Sequence, residues 1–393
     1  MPPNSVIIVG GSIAGLLQGL QLKRQGSDVI ILEQDPSKER HSHESGIQIG
    51  PSRARAYERP SHHDMSNWGC LFNLLRANFD GMASLAVPDP PGPKPGDGKV
   101  EYRSGKRVTG LVDDREKERV HVHFFDITTG EKGSLGADLV IGADGIHSTV
   151  RGLLGAKTRK EYAGYVAWRG AVPEHLVSKE AVDALSDRLN FFFLGKTYIV
   201  SYIIPTEQGN IAPGKRLVNW LWYYTVPDNS PEMRDIFTDV HGKTHPNTVS
   251  QGLVQPEIWA ELKSRFLPQM LAPLAEVIDA TPRPFVTKVC EAQCSRASFY
   301  EGRVVLVGDA FTALRSHLGM ASEQAATHCA QMDRVWRGEV SQVQRDREAT
   351  LYAGKFLLLN RLVGVFGLEM PWAVVRTVVA YLWLMIMIRL GLS

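Results

Sequence analysis

Three segments of this chain each run from an apolar, β-branched stretch straight into a glycine turn. They are SVIIVGGSIAGL (Ser5–Leu16), ADLVIGADGIHSTVR (Ala137–Arg151) and GRVVLVGDA (Gly302–Ala310). A short apolar run that ends in glycine and passes into helical spacing has the pattern of a buried parallel strand feeding a crossover helix. Parallel strands need long connections, so segments this far apart in sequence can share one sheet with their turns side by side at its carboxyl edge. Backbone amides and helix N-termini there face the phosphates of a ligand. The pattern therefore restricts the chain to an α/β architecture whose Rossmann-like parallel sheet holds a dinucleotide along its length.

In GGSIAG, Gly10 supplies the tight turn and Gly15 lets the helix Ile13–Gln25 pack closely on its strand, while Gly11, Ser12, Ile13 and Ala14 carry the amides between them. Ser12 stands where the middle glycine of GxGxxG usually does. The second strand, Asp28–Leu32, completes a βαβ unit of about thirty residues and ends at Glu33 and Gln34, with the Glu33 carboxylate placed for ribose hydroxyls. Asp144 and Gly145 end a later strand where the backbone must approach phosphates. Gly308-Asp309 is placed to accept from a ribityl hydroxyl, and the helix start Gly319, Met320, Ala321 and Ser322 to point amides at a flavin pyrimidine. Ribityl and pyrimidine contacts together make FAD the expected cofactor.

Between these turns, Trp68, Leu71, Phe72 and Leu75 predict a helix over Ser66–Asn78 with Ser66 as N-cap, and Pro88–Gly98 predicts a surface loop. Val100–Val108, Arg119–Asp126 and Lys132–Ile141 alternate like the strands of a β-meander, with Thr129 and Gly130 turning between the last two. From Tyr162 to Thr281 the texture becomes aromatic and alternating, as in NFFFLGKTYIVSYIIP and RLVNWLWYYTVP, which predicts an antiparallel sheet. Within it Trp220, Trp222, Tyr223 and Tyr224 read as sheet core. The expected division is a discontinuous FAD-binding domain over 1–160 and 282–350, an antiparallel (α+β) substrate domain over 161–281 and a C-terminal helical segment over 351–393. Helices are expected at Gln324–Trp336 and Val343–Leu359. In Pro371–Ser393, Arg376 and Arg389 leave only Thr377–Ile388 uncharged, short of the ~20 residues that cross a bilayer. A buried or oligomer-facing helix, an interfacial membrane helix and a tilted span are the readings open for it.

A formal net charge of +2 with no basic stripe argues against nucleic acid as a partner. Cys70, Cys290, Cys294 and Cys329 lack CxxC or metal-ligand spacing and are expected as free thiols of a cytoplasmic protein. His41, His43, His62 and His63 lack a carboxylate or cysteine at ligand spacing, so no metal site is expected.

The set VIIVGGSIAGL, ADLVIGADGIHSTVR and GRVVLVGDA resembles the single-component (class A) FAD-dependent aromatic hydroxylases, from Ser5 to about Leu359. GGSIAG, NWLWYY and Arg315-Ser316-His317 are most similar to the 2,6-dihydroxypyridine hydroxylase branch and its fungal relatives. The resemblance implies a monooxygenase in which NAD(P)H reduces FAD, O2 forms a flavin C4a-hydroperoxide, and oxygen passes to an aromatic, heteroaromatic or enolisable substrate. It also implies FAD contacts from Glu33, Arg76, Asp144, Gly145, Asp309 and Gly319–Ser322. Electrophilic oxygen transfer favours a deprotonated ring, so a base or cation is expected beside the substrate hydroxyl. His317, Arg169 and Arg315 are the candidates, with a structural histidine and a strand-edge charge as the bland alternatives. The stretch from Gly46 to Trp68 is shorter than in the family. This keeps an FAD-binding protein with impaired catalysis as an alternative, beside a flavin oxidase or dehydrogenase.

Overall fold

The structure, a computed structural model, describes residues 1–37, 44–49 and 65–390. The chain opens with β1 (Ser5–Val9), α1 (Ile13–Arg24) and β2 (Asp28–Leu32), followed by a ribbon of β3 (Gly46–Gln48) and β4 (Met65–Asn67) and by α2 (Trp68–Asp80). Then come β5 (Val100–Arg103), the antiparallel meander β6 (Lys106–Asp114), β7 (Arg119–Asp126) and β8 (Lys132–Ala137), and β9 (Leu139–Gly142) with α3 (Thr149–Leu153). A long strand β10 (Thr158–Pro173), α4 (Lys179–Leu185), β11 (Asn190–Phe193), β12 (Thr197–Ile204) and β13 (Leu217–Thr225) build the aromatic sheet. They are followed by α5 (Pro231–Ile236), β14 (Thr248–Val249), α6 (Pro256–Phe266), α7 (Ala272–Asp279) and β15 (Phe285–Cys294). The chain returns through β16 (Ser298–Phe299), β17 (Val304–Leu306) and β18 (Thr312–Ala313) to α8 (Ala321–Trp336), α9 (Gln342–Gly367) and α10 (Pro371–Arg389).

The first sheet has the order β16-β17-β9-β1-β2-β5, parallel except for the β16–β17 edge. Its inner strands are apolar on both faces because both are covered. Ile7, Val140 and Leu306 pack toward the meander and Phe311, while Val6, Ile8, Ile141 and Val305 pack toward α1 and α2. Three distant apolar runs thus meet as the adjacent strands β1, β9 and β17.

The second sheet has the order β11-β12-β13-β10-β15-β14, antiparallel throughout. Alternation sorts its rings. Trp168, Trp220, Trp222 and Tyr224 pack outward against Trp259 and Phe266 of α6, with the Trp220 and Trp259 rings stacked 5.9 Å apart. Tyr165, Tyr198, Tyr202, Leu221 and Tyr223 face the other way.

Several sequence-based boundaries move. Asn67, not Ser66, caps α2: its side chain accepts from the Gly69 N–H at 2.8 Å. Val100–Val108 is two strands, because Gly105 reverses the chain at φ 70°, sending β5 to the parallel sheet and β6 to the meander. Lys132–Ile141 breaks at Asp138, whose carboxylate accepts from the Ser5 N–H at 2.9 Å and pins the start of β9 beside β1. Asn190–Pro205 is a hairpin of two strands. Residue 161 lies inside β10 and residue 351 inside α9, and β15, beyond residue 281, belongs to the antiparallel sheet. His41, His43, His62 and His63, with most of the shortened 46–68 stretch, lie outside the described residues.

Candidate active site

The three turns converge on one cavity of about 610 Å³ that opens between the two sheets. At its nucleotide end, Gly10 leaves β1 at φ 100°, and a Cβ there would stand 2.6 Å from the Ala143 carbonyl oxygen. A Cβ on Gly15 would stand 2.0 Å from the Gly10 oxygen, so α1 reaches the turn only with glycine at both places. Ser12 caps α1 without a side-chain hydrogen bond, and Ser12, Ile13 and Ala14 line the cavity. The amides of the first helical turn therefore face open space, where the helix dipole favours an anion. Glu33 is buried and accepts from the backbone N–H groups of Gly11 at 2.8 Å and Asp35 at 2.9 Å. Gln34 beside it is exposed.

Arg76 does not line this cavity. It pairs with Asp80 at 2.8 Å and lies 3.5 Å from the Tyr102 ring centroid, while the Tyr102 hydroxyl donates to the Gly11 carbonyl. It supports the turn from behind. Asp144 likewise turns away: its carboxylate caps α3, accepting from Ser148 Oγ at 2.5 Å and from the N–H groups of Thr149 and Val150. Gly145, at φ 77°, is the part of that turn that lines the cavity.

Sequence reasoning missed Arg151. Its buried guanidinium donates to the Ile146 carbonyl at 2.5 Å and the Ala310 carbonyl at 2.8 Å, tying the second turn to the third. It missed His328 too, a fully buried residue of α8 whose Nδ1 accepts from the Gly308 N–H at 2.9 Å. The periodicity of α8 shows His328 only as an inward-facing position. Nothing in ADGIHSTVR distinguishes Arg151 from a surface charge.

Asp309 lines the cavity with no hydrogen-bond partner for its carboxylate among the described residues, and burial raises its pKa to about 6. Gly319 turns at φ 62° into α8, whose N-cap Met320 gives no capping side-chain hydrogen bond. Gly319, Met320, Ala321 and Ser322 all line the cavity, and Ser322 Oγ is buried without a partner.

The wall opposite comes from the antiparallel sheet. Arg169, Tyr202, Leu221 and Tyr223 line it, so the NWLWYY rings divide: Tyr223 faces the cavity while Trp220, Trp222 and Tyr224 are core. Arg169 lies on the interior strand β10, not at a sheet edge, and has no carboxylate partner among the described residues. Arg315 is different: its Nε donates to Glu291 at 2.7 Å and its Nη1 to the Tyr165 hydroxyl at 3.1 Å. His317 is buried with both ring nitrogens engaged, Nε2 with the Tyr165 hydroxyl at 2.6 Å and Nδ1 with the Tyr198 hydroxyl. Burial, aided by the Arg315 charge, pushes its pKa down to about 3. His317, a candidate for the base or cation beside the substrate hydroxyl, is therefore uncharged near neutral pH, with both ring nitrogens already engaged. Arg315 can only donate to Tyr165, an arrangement satisfied when the tyrosine donates to Nε2 and His317 carries its proton on Nδ1.

These features fit FAD. Two helix starts without a side-chain cap, the Asp309 carboxylate without a hydrogen-bond partner among the described residues, the orphaned Ser322 hydroxyl and the glycine turns all border one cavity. A family model described as FAD binding domain-like matches residues 162–291. The chain is 28% identical over 347 residues to a 2,6-dihydroxypyridine 3-monooxygenase of Paenarthrobacter nicotinovorans, covering 82% of this chain and 80% of the relative. It is 25% identical over 377 residues to a 6-hydroxynicotinate 3-monooxygenase of Bordetella bronchiseptica, covering 84% and 82%. The solved 2,6-dihydroxypyridine-3-hydroxylase of Arthrobacter nicotinovorans superposes with a TM-score of 0.72 at 24% identity, over 93% of this chain and 92% of that one. Klebsiella pneumoniae HpxO, solved with FAD and uric acid, gives 0.62 at 20% identity, over 94% and 91%. In sequence and in fold the chain is similar to FAD-dependent aromatic monooxygenases.

Proposed function

We propose that this chain hydroxylates a small electron-rich aromatic, heteroaromatic or enolisable compound, using NAD(P)H and O2, with the ring held against Arg169 and Tyr223. The supporting observation is one cavity bordered on one side by the three glycine turns and on the other by Arg169, which has no carboxylate partner among the described residues. Bound FAD supplies the electrophilic oxygen. Everything else falls to the chain.

Arg169 favours the anionic form of a ring hydroxyl, which enriches the ring for attack. Tyr223, hydrogen-bonded to Ser316 at 2.9 Å and held neutral by burial, offers a fixed polar edge among apolar walls of Leu189, Val200 and Leu221. His317, Tyr165 and Arg315 hold the segment Arg315-Ser316-His317 in place through the chain of hydrogen bonds described above. The proposed FAD contacts are the backbone of Gly10–Gly15, Gly145 and Gly319–Ser322, the Asp309 carboxylate, and Glu33 beside the first turn. Among the described residues no group of histidine, cysteine and carboxylate side chains has metal-binding geometry.

The test is aerobic NAD(P)H oxidation by the FAD-reconstituted protein across phenols, hydroxypyridines and enolisable diketones. Substrate-dependent oxidation with oxygenated product is expected, and Arg169→Met should lower kcat/KM by about tenfold or more while FAD content stays unchanged. Flavin bleaching by substrate alone under anaerobic conditions would instead identify an oxidase or dehydrogenase.

A further inference from the structure

α10 turns its apolar side outward. Of its 19 residues only Thr377 is buried, while Trp372 is 86% exposed and Trp383 63%. Val375, Val379, Leu382, Ile386 and the following Leu390 are exposed as well. At about 100° per residue these seven side chains fall within an arc of about 100°, with Arg376 and Arg389 at its two margins. A continuous apolar stripe of this kind is not ordinary solvent-facing surface.

The charges select what covers it. Residues 370–393 contain no aspartate or glutamate, and neither arginine has a carboxylate partner among the described residues. A second copy of the same helix would bring arginines to arginines. A layer of lipid phosphates answers both charges while the stripe enters the acyl boundary, with indole rings at the polar level and arginine stems reaching outward. α10 packs along α9 with Thr377 as its buried residue, and Arg376 interrupts the apolar run in its second turn, an arrangement that suits a helix lying in a surface better than one crossing it.

Exposed rings also lead from α9 to the cavity. Phe366 of α9 is exposed and meets the exposed Phe193 edge-to-face at 6.4 Å, and Phe191, two residues along β11, lines the cavity.

We propose that α10 is an interfacial anchor that seats this protein on anionic phospholipid bilayers with its axis in the membrane plane and the cavity mouth beside it. The proposal does not depend on the hydroxylase reading, and its test reads neither flavin nor turnover. The full chain is floated with vesicles of phosphatidylcholine containing about one third phosphatidylglycerol, and with vesicles of phosphatidylcholine alone. It should rise with the anionic vesicles and bind the neutral ones about tenfold or more weakly. The combined Leu382→Ser, Trp383→Ser and Ile386→Ser variant should stay in the load fraction with an unchanged circular-dichroism melt. Arg376→Glu with Arg389→Glu should keep the stripe and lose the preference for anionic lipid. Wild-type protein that stays in the load overturns the proposal. So does a dimer by light scattering that the serine variant converts to monomer without any vesicle binding, which would assign the stripe to a second copy.

Discussion

Asp309 and His317 are neighbours in sequence with opposite relations to the solvent they displace. Burial raises the Asp309 carboxyl to about 6 because its charged form has lost water and finds no hydrogen-bond donor among the described residues. A ribityl hydroxyl would restore that donor, so Asp309→Ala should weaken FAD about tenfold or more, measured by flavin fluorescence titration. Unchanged affinity would remove Asp309 from the site. His317 and His328 sit at about 3, against 6.5 for an unperturbed imidazole. The unfolded chain therefore takes up protons first as pH falls, and stability that is complete above about 6.5 declines toward about 3. Each histidine accounts for about 1.4 kcal/mol per pH unit within that window. Asp309, raised from 3.8, acts in the opposite sense between about 4 and 6, so there it offsets one histidine. His317→Gln should flatten the fall of Tm between those pH values; an undiminished slope would mean that His317 is protonated in the folded protein.

At the level of elements, the strand-turn-helix units were legible because their glycines answer a local need. A Cβ on Gly15 collides with the Gly10 carbonyl oxygen of the same turn, and Gly10 leaves its strand at φ 100°, which other residues rarely adopt. The cap of α2 and the split of Val100–Val108 were less legible. Ser66 and Asn67 are both good caps, and only pairing of β4 with β3 decides that the helix begins after Asn67. The links between elements were not legible at all. Arg151 joins the second turn to the third across 159 residues of chain, and His328 holds the third turn from α8. His328→Leu would leave the buried Gly308 N–H without an acceptor, a cost of about 1–3 kcal/mol. A lower Tm together with weaker FAD binding is expected, whereas a lower Tm with unchanged FAD affinity would show that the turn keeps its shape without the histidine.

For the molecule as a whole, the cavity belongs to neither sheet alone. Glycine turns from one and Arg169, Tyr202 and Tyr223 from the other border the same space. A ligand that spans both should stabilise them together: FAD at about a hundred times its Kd should add about 2.7 kcal/mol, seen as one cooperative melt moved to higher temperature. Two separate transitions, only one of them shifted, would confine the cofactor to the first sheet. The parallel sheet, the three glycine turns and the change to an aromatic antiparallel sheet were all written in the sequence. Each follows from interactions within a few residues: β-branching, alternation, and glycine where no side chain fits. Which candidate cation is free, which tyrosine of NWLWYY faces the cavity, and that His317 is neutral were decided only by the fold. Those properties depend on Glu291, α6 and Tyr198, partners that no local spacing brings near, and on the burial that their packing imposes.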